Sequence, residues 1–167
     1  VFLGTGAGTP SRARNVASTA LCFDDGAVWL VDCGEGTQHQ ILRSPLKPGR
    51  IEAILITHLH GDHCYGLPGL LASLAVHDRR EPVTVVGPAG LREWLGVTLR
   101  VSALRLAYRF RVLEVVDGGA LDLASGRGAV TALPLTHRLP SFAYHIAEPP
   151  RRGRIDIGGG RGFVFSS

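Results

Sequence analysis

Residues 57–71 read Thr-His-Leu-His-Gly-Asp-His-Cys-Tyr-Gly-Leu-Pro-Gly-Leu-Leu and place three histidines and one aspartate within six positions. The stretch follows the apolar run Ile51–Ile56, which predicts a buried β-strand. Side chains two positions apart on a strand share a face, so a strand that continued through His58 and His60 would bring both imidazoles to one point. Imidazole and carboxylate groups are ligands for zinc or a similar first-row ion. The stretch therefore predicts a metal site.

The residues after His60 add a second pair of donors. Gly61 allows a sharp turn, after which Asp62 and His63 open a helix from the other side of the pocket and make a second metal ion feasible. A mixed nitrogen and oxygen donor set with open positions is typical of catalytic metal sites rather than structural ones. The alternative is a loop of surface histidines with an aspartate that caps a helix. That alternative suits a lone histidine better than four donors at this spacing.

The composition is that of a globular α/β chain with many tight turns. The 167 residues are 45% hydrophobic and include 22 Gly and 10 Pro, which argues against a disordered tail or a helical bundle. The length fits one domain or part of a larger one. No apolar run approaches the ~20 residues of a membrane span, and the first residues read as a strand and a glycine turn rather than a basic leader. We expect a cytoplasmic protein without a membrane segment.

Net charge and cysteine content indicate which kind of partner and which cellular compartment suit the chain. The net charge of +4 favours a polyanionic partner such as RNA. Nearly all the cations are arginines, however, which a GC-rich genome could also produce, so charge is only supporting evidence. Cys22, Cys33 and Cys64 are an odd and scattered set, which argues against a disulfide framework. We interpret Cys64 as a small packing residue.

Hydrophobic periodicity predicts an alternation of strands and helices. Residues 32–40 predict a change from strand to helix through glycines, and residues 67–76 continue as an apolar helix. Pro88 is expected in the first turn of an amphipathic helix over residues 89–99. The predicted strands cover residues 1–5, 19–23, 27–31, 51–56, 82–87, 110–116, 120–123, 129–135 and 163–165.

Two further groups of residues are candidates for substrate or ligand contacts. Arg12 and Arg14, two positions apart on the glycine-rich loop, could face one phosphate group, with Asn15 adding hydrogen bonds; isolated arginines are more often solvated. Asp32 and Glu35 could hold a ligand imidazole by its other N–H, or could equally be a turn residue and a helix N-terminal charge.

A histidine at the end of a later strand is a candidate third nitrogen ligand. His137 follows the predicted strand 129–135 directly, just before a loop. Its position suits a ligand that reaches a distant metal site. Spacing alone leaves His137 open between that role and an ordinary loop histidine. His39, His77 and His145 have no such placement and are interpreted as solvated or structural.

Several segments together resemble ribonuclease Z, the family of tRNA 3′-processing endonucleases within the metallo-β-lactamase superfamily. The motif His-x-His-x-Asp-His marks only the superfamily, whereas Gly-Asp-His-x-x-Gly-Leu-Pro-Gly-Leu-Leu beside Asp-Cys-Gly-Glu-Gly-Thr-Gln is more specific. The match runs in order from Val1 to about Arg154. The matching segments are residues 2–6, the Pro10…Arg14-Asn15 element, and residues 32–38, 58–71 and 137–144.

The resemblance implies an αββα sandwich with two zinc ions at the edge of its sheets. The first ion would be held by His58, His60 and His137, and the second by Asp62 and His63. A hydroxide would attack the phosphorus after the discriminator nucleotide of a precursor tRNA, and Asp62 would also accept a proton. Arg151 and Arg152 lie in a segment that matches the start of the family's flexible, tRNA-gripping arm. The family also forms homodimers.

The departures from the family concern its later half. After Tyr144 nothing matches the metal-bridging aspartate, the further zinc-binding histidine or the His and Glu pair of the family. By resemblance the chain supplies five of seven ligands. We therefore expect residues 1–148 to be the amino-terminal half of the domain and residues 149–167 to begin a basic arm or linker, with an apolar sheet face left uncovered.

Three interpretations follow. The first is the amino-terminal half of a ribonuclease Z, with little activity in the chain as it stands. The second is a non-catalytic remnant that binds metal or RNA. The third is another metallo-β-lactamase-fold hydrolase, such as an esterase or sulfatase, which the Gly-Leu-Pro-Gly-Leu-Leu helix disfavours.

Overall fold

The computed structural model describes residues 1–76, 79–123 and 125–149, which form two β-sheets and a layer of helices. The six-stranded sheet has the order β1-β2-β3-β4-β5-β6, and the three-stranded sheet has the order β7-β8-β9. The elements are β1 (Phe2–Gly4), β2 (Ser18–Cys22), β3 (Val28–Val31), α1 (Thr37–Leu42), β4 (Ile51–Leu55), α2 (Gly61–Cys64), α3 (Leu67–Val76), β5 (Val83–Pro88), α4 (Leu91–Val101), β6 (Phe110–Val115), β7 (Gly119–Leu121), β8 (Ala129–Leu135) and β9 (Ser141–Ala147).

The direction of the strands decides which loops meet. Strands β3, β4, β5 and β6 pair in parallel, whereas β1, β2 and β3 pair antiparallel. Parallel neighbours need crossover connections, which the helices supply. The carboxyl ends of β3, β4 and β5 therefore lie at the same edge of the sheet. Val31 and Leu55, the last residues of β3 and β4, are direct partners in the ladder.

Alternating side chains of the central strands build two cores. Leu30 and Ile54 face the helices, and Trp29 and Leu55 face the three-stranded sheet. All four side chains are fully buried. Burial on both faces explains why the central strands are nearly continuous apolar runs. The layers are therefore helices, six-stranded sheet and three-stranded sheet.

Most predicted elements within the described ranges are confirmed, with three differences. Strand β4 ends at Leu55, so His58 and His60 lie beyond the strand rather than continuing it. The Thr57 N–H instead donates to the Asp32 carboxylate at 2.8 Å, which takes this segment out of the ladder. Pro88 ends β5 rather than opening α4. Strand β9 is not among the predicted strands.

Part of the sequence lies outside the described ranges. Arg151, Arg152 and the predicted strand 163–165 belong to it. The division into residues 1–148 and 149–167 stays a prediction. Among the described helices, none is long and apolar enough to cross a membrane.

Candidate metal centre

Three histidines from two loops form a cluster that could hold a metal ion. One ring nitrogen from each of His58, His60 and His137 lies within 4.8 Å of the others. His58 is buried, His60 is half-buried and His137 is exposed. His58 and His60 lie in the loop after β4, and His137 lies in the loop between β8 and β9. The structure thus brings together the three predicted nitrogen donors, although the two loops that carry them follow strands of different sheets.

Two hydrogen bonds from β9 hold the three-stranded sheet at this edge. The Phe142 N–H donates to the Thr57 carbonyl at 3.0 Å, and the Tyr144 hydroxyl donates to the Ile56 carbonyl at 2.7 Å. Burial, and secondarily the charge of Asp32, raise the pKa of Tyr144, so its phenol stays a donor at neutral pH. These bonds attach β9 to the segment after β4. The loop that precedes β9 therefore carries His137 to His58.

A buried carboxylate orients His63. Asp32 Oδ2 lies 2.7 Å from His63 Nδ1, and Asp32 Oδ1 accepts the Thr57 N–H. Asp32 has a φ of 60°, a left-handed conformation that costs about 1 kcal/mol or more and that these bonds offset. With Nδ1 occupied, Nε2 of His63 faces Asp62. The structure thus places the Asp32 carboxylate against one of the candidate ligand imidazoles.

The second predicted donor pair lies next to the first cluster. Asp62 Oδ2 is 3.3 Å from His63 Nε2, and the rings of His58 and His63 have centroids 4.0 Å apart. Asp62 Oδ2 also accepts the Gly8 N–H at 2.7 Å, which joins the amino-terminal loop to the centre. All five predicted donors therefore lie in one group.

The surroundings of the centre shift the pKa values of Asp62, His58 and His63. Burial raises the pKa of Asp62, but the Gly8 N–H and the charge of His63 outweigh it and leave that pKa below its ordinary value. Burial, and then the charge of His63, lower the pKa of His58. Burial lowers the pKa of His63, but the bond to Asp32 and the charges of Asp32 and Asp62 raise it above its ordinary value. The lowered pKa values of Asp62 and His58 favour the ionised carboxylate and the neutral imidazole, the forms that bind a cation.

Close backbone contact joins the Asp-Cys-Gly-Glu-Gly turn to the metal-ligand segment. The Cys33 N–H donates to the His63 carbonyl at 2.8 Å, and the Gly66 N–H donates to the Cys33 carbonyl at 2.9 Å. A Cβ on Gly34 would collide with the Asp62 carbonyl, and one on Gly66 would collide with the Gly34 carbonyl. Sequence reasoning used these glycines as a family signature and missed their contact. Cys64 is buried here, as expected of a packing residue.

The structure does not place Glu35 against an imidazole, in contrast to Asp32. Its side chain is exposed, and its backbone carbonyl accepts the Asn15 side-chain N–H at 2.8 Å. In the described ranges, no hydrogen bond or ion pair joins the Glu35 carboxylate to a histidine. Glu35 lies in the turn that precedes α1, next to Gly36.

The arginines of the amino-terminal loop share one concavity. Arg12 and Arg14 are exposed and, with Asn15, line a cavity of about 450 Å³. The Asn15 side-chain amide donates a hydrogen bond to the Glu35 carbonyl, so in the structure this amide has a partner within the protein. Arg43 at the end of α1 also lines the cavity. Sequence reasoning missed Arg43 because it is 29 positions from Arg14 along the chain.

Residues 12–149 match the model of the metallo-beta-lactamase superfamily, and the chain belongs to that superfamily. Within it, the chain is 52% identical to the ribonuclease BN of Erwinia tasmaniensis over 157 residues, which are 93% of this chain and 51% of that protein. It is 46% identical over 158 residues to the ribonuclease Z of an Exiguobacterium strain, covering 93% of this chain and 52% of that protein. The predicted resemblance to ribonuclease Z is confirmed.

A solved structure supports the same assignment. The crystal structure of human tRNase Z, short form, superposes with a TM-score of 0.82 at 38% identity and covers 88% of this chain and 64% of that chain. The predicted metallo-β-lactamase fold is thereby confirmed. The chain spans about half the length of the curated relatives it matches.

Proposed function

We propose that this chain carries the metal-ligand half of a zinc-dependent endonuclease that removes the 3′ trailer from precursor tRNA. The observation that carries the proposal is the convergence of His58, His60 and His137 with Asp62 and His63 at one sheet edge. Relatives named ribonuclease Z and ribonuclease BN support the substrate class.

The donor set fits zinc. Imidazole nitrogens and a carboxylate oxygen are ordinary zinc ligands, and His58, His60 and His137 offer three nitrogens to one ion. Asp62 and His63 would hold a second ion. Bound zinc would lower the pKa of a water molecule and stabilise the negative charge that develops on the phosphate.

The chain's own residues orient the donors and contact the substrate. Asp32 holds His63 so that Nε2 faces Asp62, and the Gly8 N–H keeps the Asp62 carboxylate in place. Asp62 is proposed as the proton acceptor of the reaction. Arg12 and Arg14 would contact RNA phosphates, with affinity that falls as salt rises.

We also propose a tRNA-binding arm, a homodimeric state and a cytoplasmic location. Arg151 and Arg152, outside the described ranges, are proposed to contact tRNA as the start of a basic arm. The protein is proposed to act as a homodimer in the cytoplasm. Light scattering after size-exclusion chromatography tests the dimer directly.

A chimera tests the proposed activity. Residues 1–149 of this chain would replace the matching half of the Erwinia tasmaniensis ribonuclease BN, and the product would be assayed on a 3′-extended tRNA precursor with zinc. We expect cleavage by the chimera, and loss of cleavage with retained tRNA binding on His63→Ala. His145→Ala, an exposed histidine of β9, is the matched control.

The same experiment separates the alternatives. Near-normal turnover of the His63→Ala chimera with full metal content would contradict the assignment. A chimera that folds and binds zinc and tRNA without cleaving would favour the non-catalytic remnant. Hydrolysis of an aryl ester or sulfate without RNA cleavage would favour another hydrolase of the superfamily.

A further inference from the structure

An exposed aromatic side chain lies beside the metal centre without a role in it. Tyr65 directly follows the ligand segment and is 62% exposed. Its ring contacts Gly61, the residue between His60 and Asp62, so closely that a Cβ on Gly61 would clash with it. The ring therefore lies against the residue that separates two of the proposed ligands in the chain, and it is open to solvent.

A second aromatic ring, that of Trp94, lies beside the Tyr65 ring. The rings of Tyr65 and Trp94 have centroids 6.3 Å apart and planes inclined by 24°. Trp94 lies in α4, which begins after the carboxyl end of β5, and it packs against the core on the helix side of the sheet. The two rings are thus inclined only slightly to each other, and most of the Tyr65 surface is exposed.

We propose that Tyr65 is a stacking platform for an RNA base next to the phosphodiester bond that is cleaved. Proteins that bind single-stranded RNA stack bases on exposed aromatic rings while cations contact the phosphates. Here the ring contacts Gly61, which lies between two residues proposed to hold metal ions, and the chain carries a net charge of +4. This inference rests on the proposed function, because it takes the substrate to be RNA.

The platform makes a prediction that a purely structural role of Tyr65 does not make. A stacked ring contributes through the π-face of the base, so its effect disappears when the base is removed from the RNA. Stacking is also retained when phenylalanine replaces Tyr65. It is lost with leucine, which has comparable apolar character but no ring. A side chain that only covers Trp94 would affect base-containing and abasic RNA equally.

The experiment measures binding of two RNA probes to the 167-residue chain with zinc. The first probe is an acceptor-stem minihelix with a single-stranded 3′ extension, and the second has abasic riboses on both sides of the cleavage position. We expect Tyr65→Ala and Tyr65→Leu to weaken binding of the first probe about tenfold and to leave the second unchanged. Tyr65→Phe retains native binding. Binding of the first probe should also quench tryptophan emission. We assign this quenching to Trp94, because the other tryptophan, Trp29, is fully buried and out of reach of the RNA.

Controls make the outcomes decisive. Val101→Ala removes an exposed side chain, 78% accessible, from the far end of α4 and should change neither probe. Native affinity of Tyr65→Ala, equal losses for both probes, or no binding by the native chain would each overturn the platform. If Tyr65→Ala is neutral while His63→Ala abolishes cleavage in the chimera, only the platform fails. If the native chimera does not cleave although it folds, the proposed function itself fails.

Discussion

Asp32 Oδ2 lies 2.7 Å from His63 Nδ1 although 31 positions separate the two residues along the chain. Parallel pairing of β3 with β4 explains this, because Asp32 and the ligand segment leave neighbouring strands at the same sheet edge. The carboxylate fixes the orientation of the imidazole, an arrangement that commonly strengthens histidine as a metal ligand. This contact leads to the first prediction.

Asp32→Asn should weaken zinc binding by about 10- to 100-fold, because outer partners of metal ligands typically contribute this much. Asparagine tolerates the left-handed backbone at this position, so the substitution removes the charge and leaves the fold. Competition with a chromophoric chelator measures the affinity. Asp117→Asn, in an exposed turn, is the control, and unchanged affinity in Asp32→Asn would refute the supporting role.

Gly66→Ala should lower the free energy of unfolding by about 1–3 kcal/mol, the usual cost of overpacking. Its Cβ would collide with the Gly34 carbonyl, so the two backbone segments would have to separate. Gly96→Ala is the matched control, since a Cβ there meets nothing within 4 Å. In the middle of α4 it should raise stability by about 0.5–1 kcal/mol. Urea unfolding that moves both variants in the same direction would argue against the close contact.

Arg127→Lys should lower the free energy of unfolding by about 0.5–1 kcal/mol at low salt. Arg127 Nε and Nη2 donate to the two carboxylate oxygens of Glu52 at 2.6 and 2.7 Å, and Nη1 pairs with Asp25. Lysine cannot reproduce this bidentate geometry. The pairs join the β7–β8 turn to the six-stranded sheet. Thermal unfolding at low and high salt tests this prediction, and Arg105→Lys, at an exposed arginine, is the control. A loss of stability in Arg127→Lys that does not shrink in high salt would contradict an ionic origin.

Iodoacetamide at pH 8 should label one of the three cysteines in the folded chain. Cys22 is exposed, whereas Cys33 and Cys64 are buried, and burial raises the pKa of each buried thiol to about 12. Both factors keep the reactive thiolate scarce and inaccessible. Mass spectrometry of the labelled chain should show one adduct without urea and three in urea. Equal labelling rates of the three thiols in the native chain would show that the core is open.

Local features of the centre were predictable from the sequence. His58, His60, Asp62 and His63 are close in any fold because only six positions contain them. Apolar runs located the central strands, and glycine located the turn before α2. These inferences succeeded because hydrophobic periodicity and glycine act on the backbone over a few residues.

Contacts between distant segments were not predictable in the same way. Asp32 and Glu35 looked equivalent in sequence, yet only Asp32 faces an imidazole, because it leaves β3 beside the end of β4. The loop nitrogen of Gly8 reaches Asp62, which no spacing rule indicates.

The sequence by itself determined the donor types, their local spacing and the resemblance to ribonuclease Z. Only the tertiary structure decided that His137 joins His58, that Asp32 supports His63 and that the Tyr65 ring stays exposed on Trp94. The physical reason is that strand order and the packing of the two sheets bring remote residues together. Side-chain periodicity describes only the faces of each element, and not which faces and ends meet.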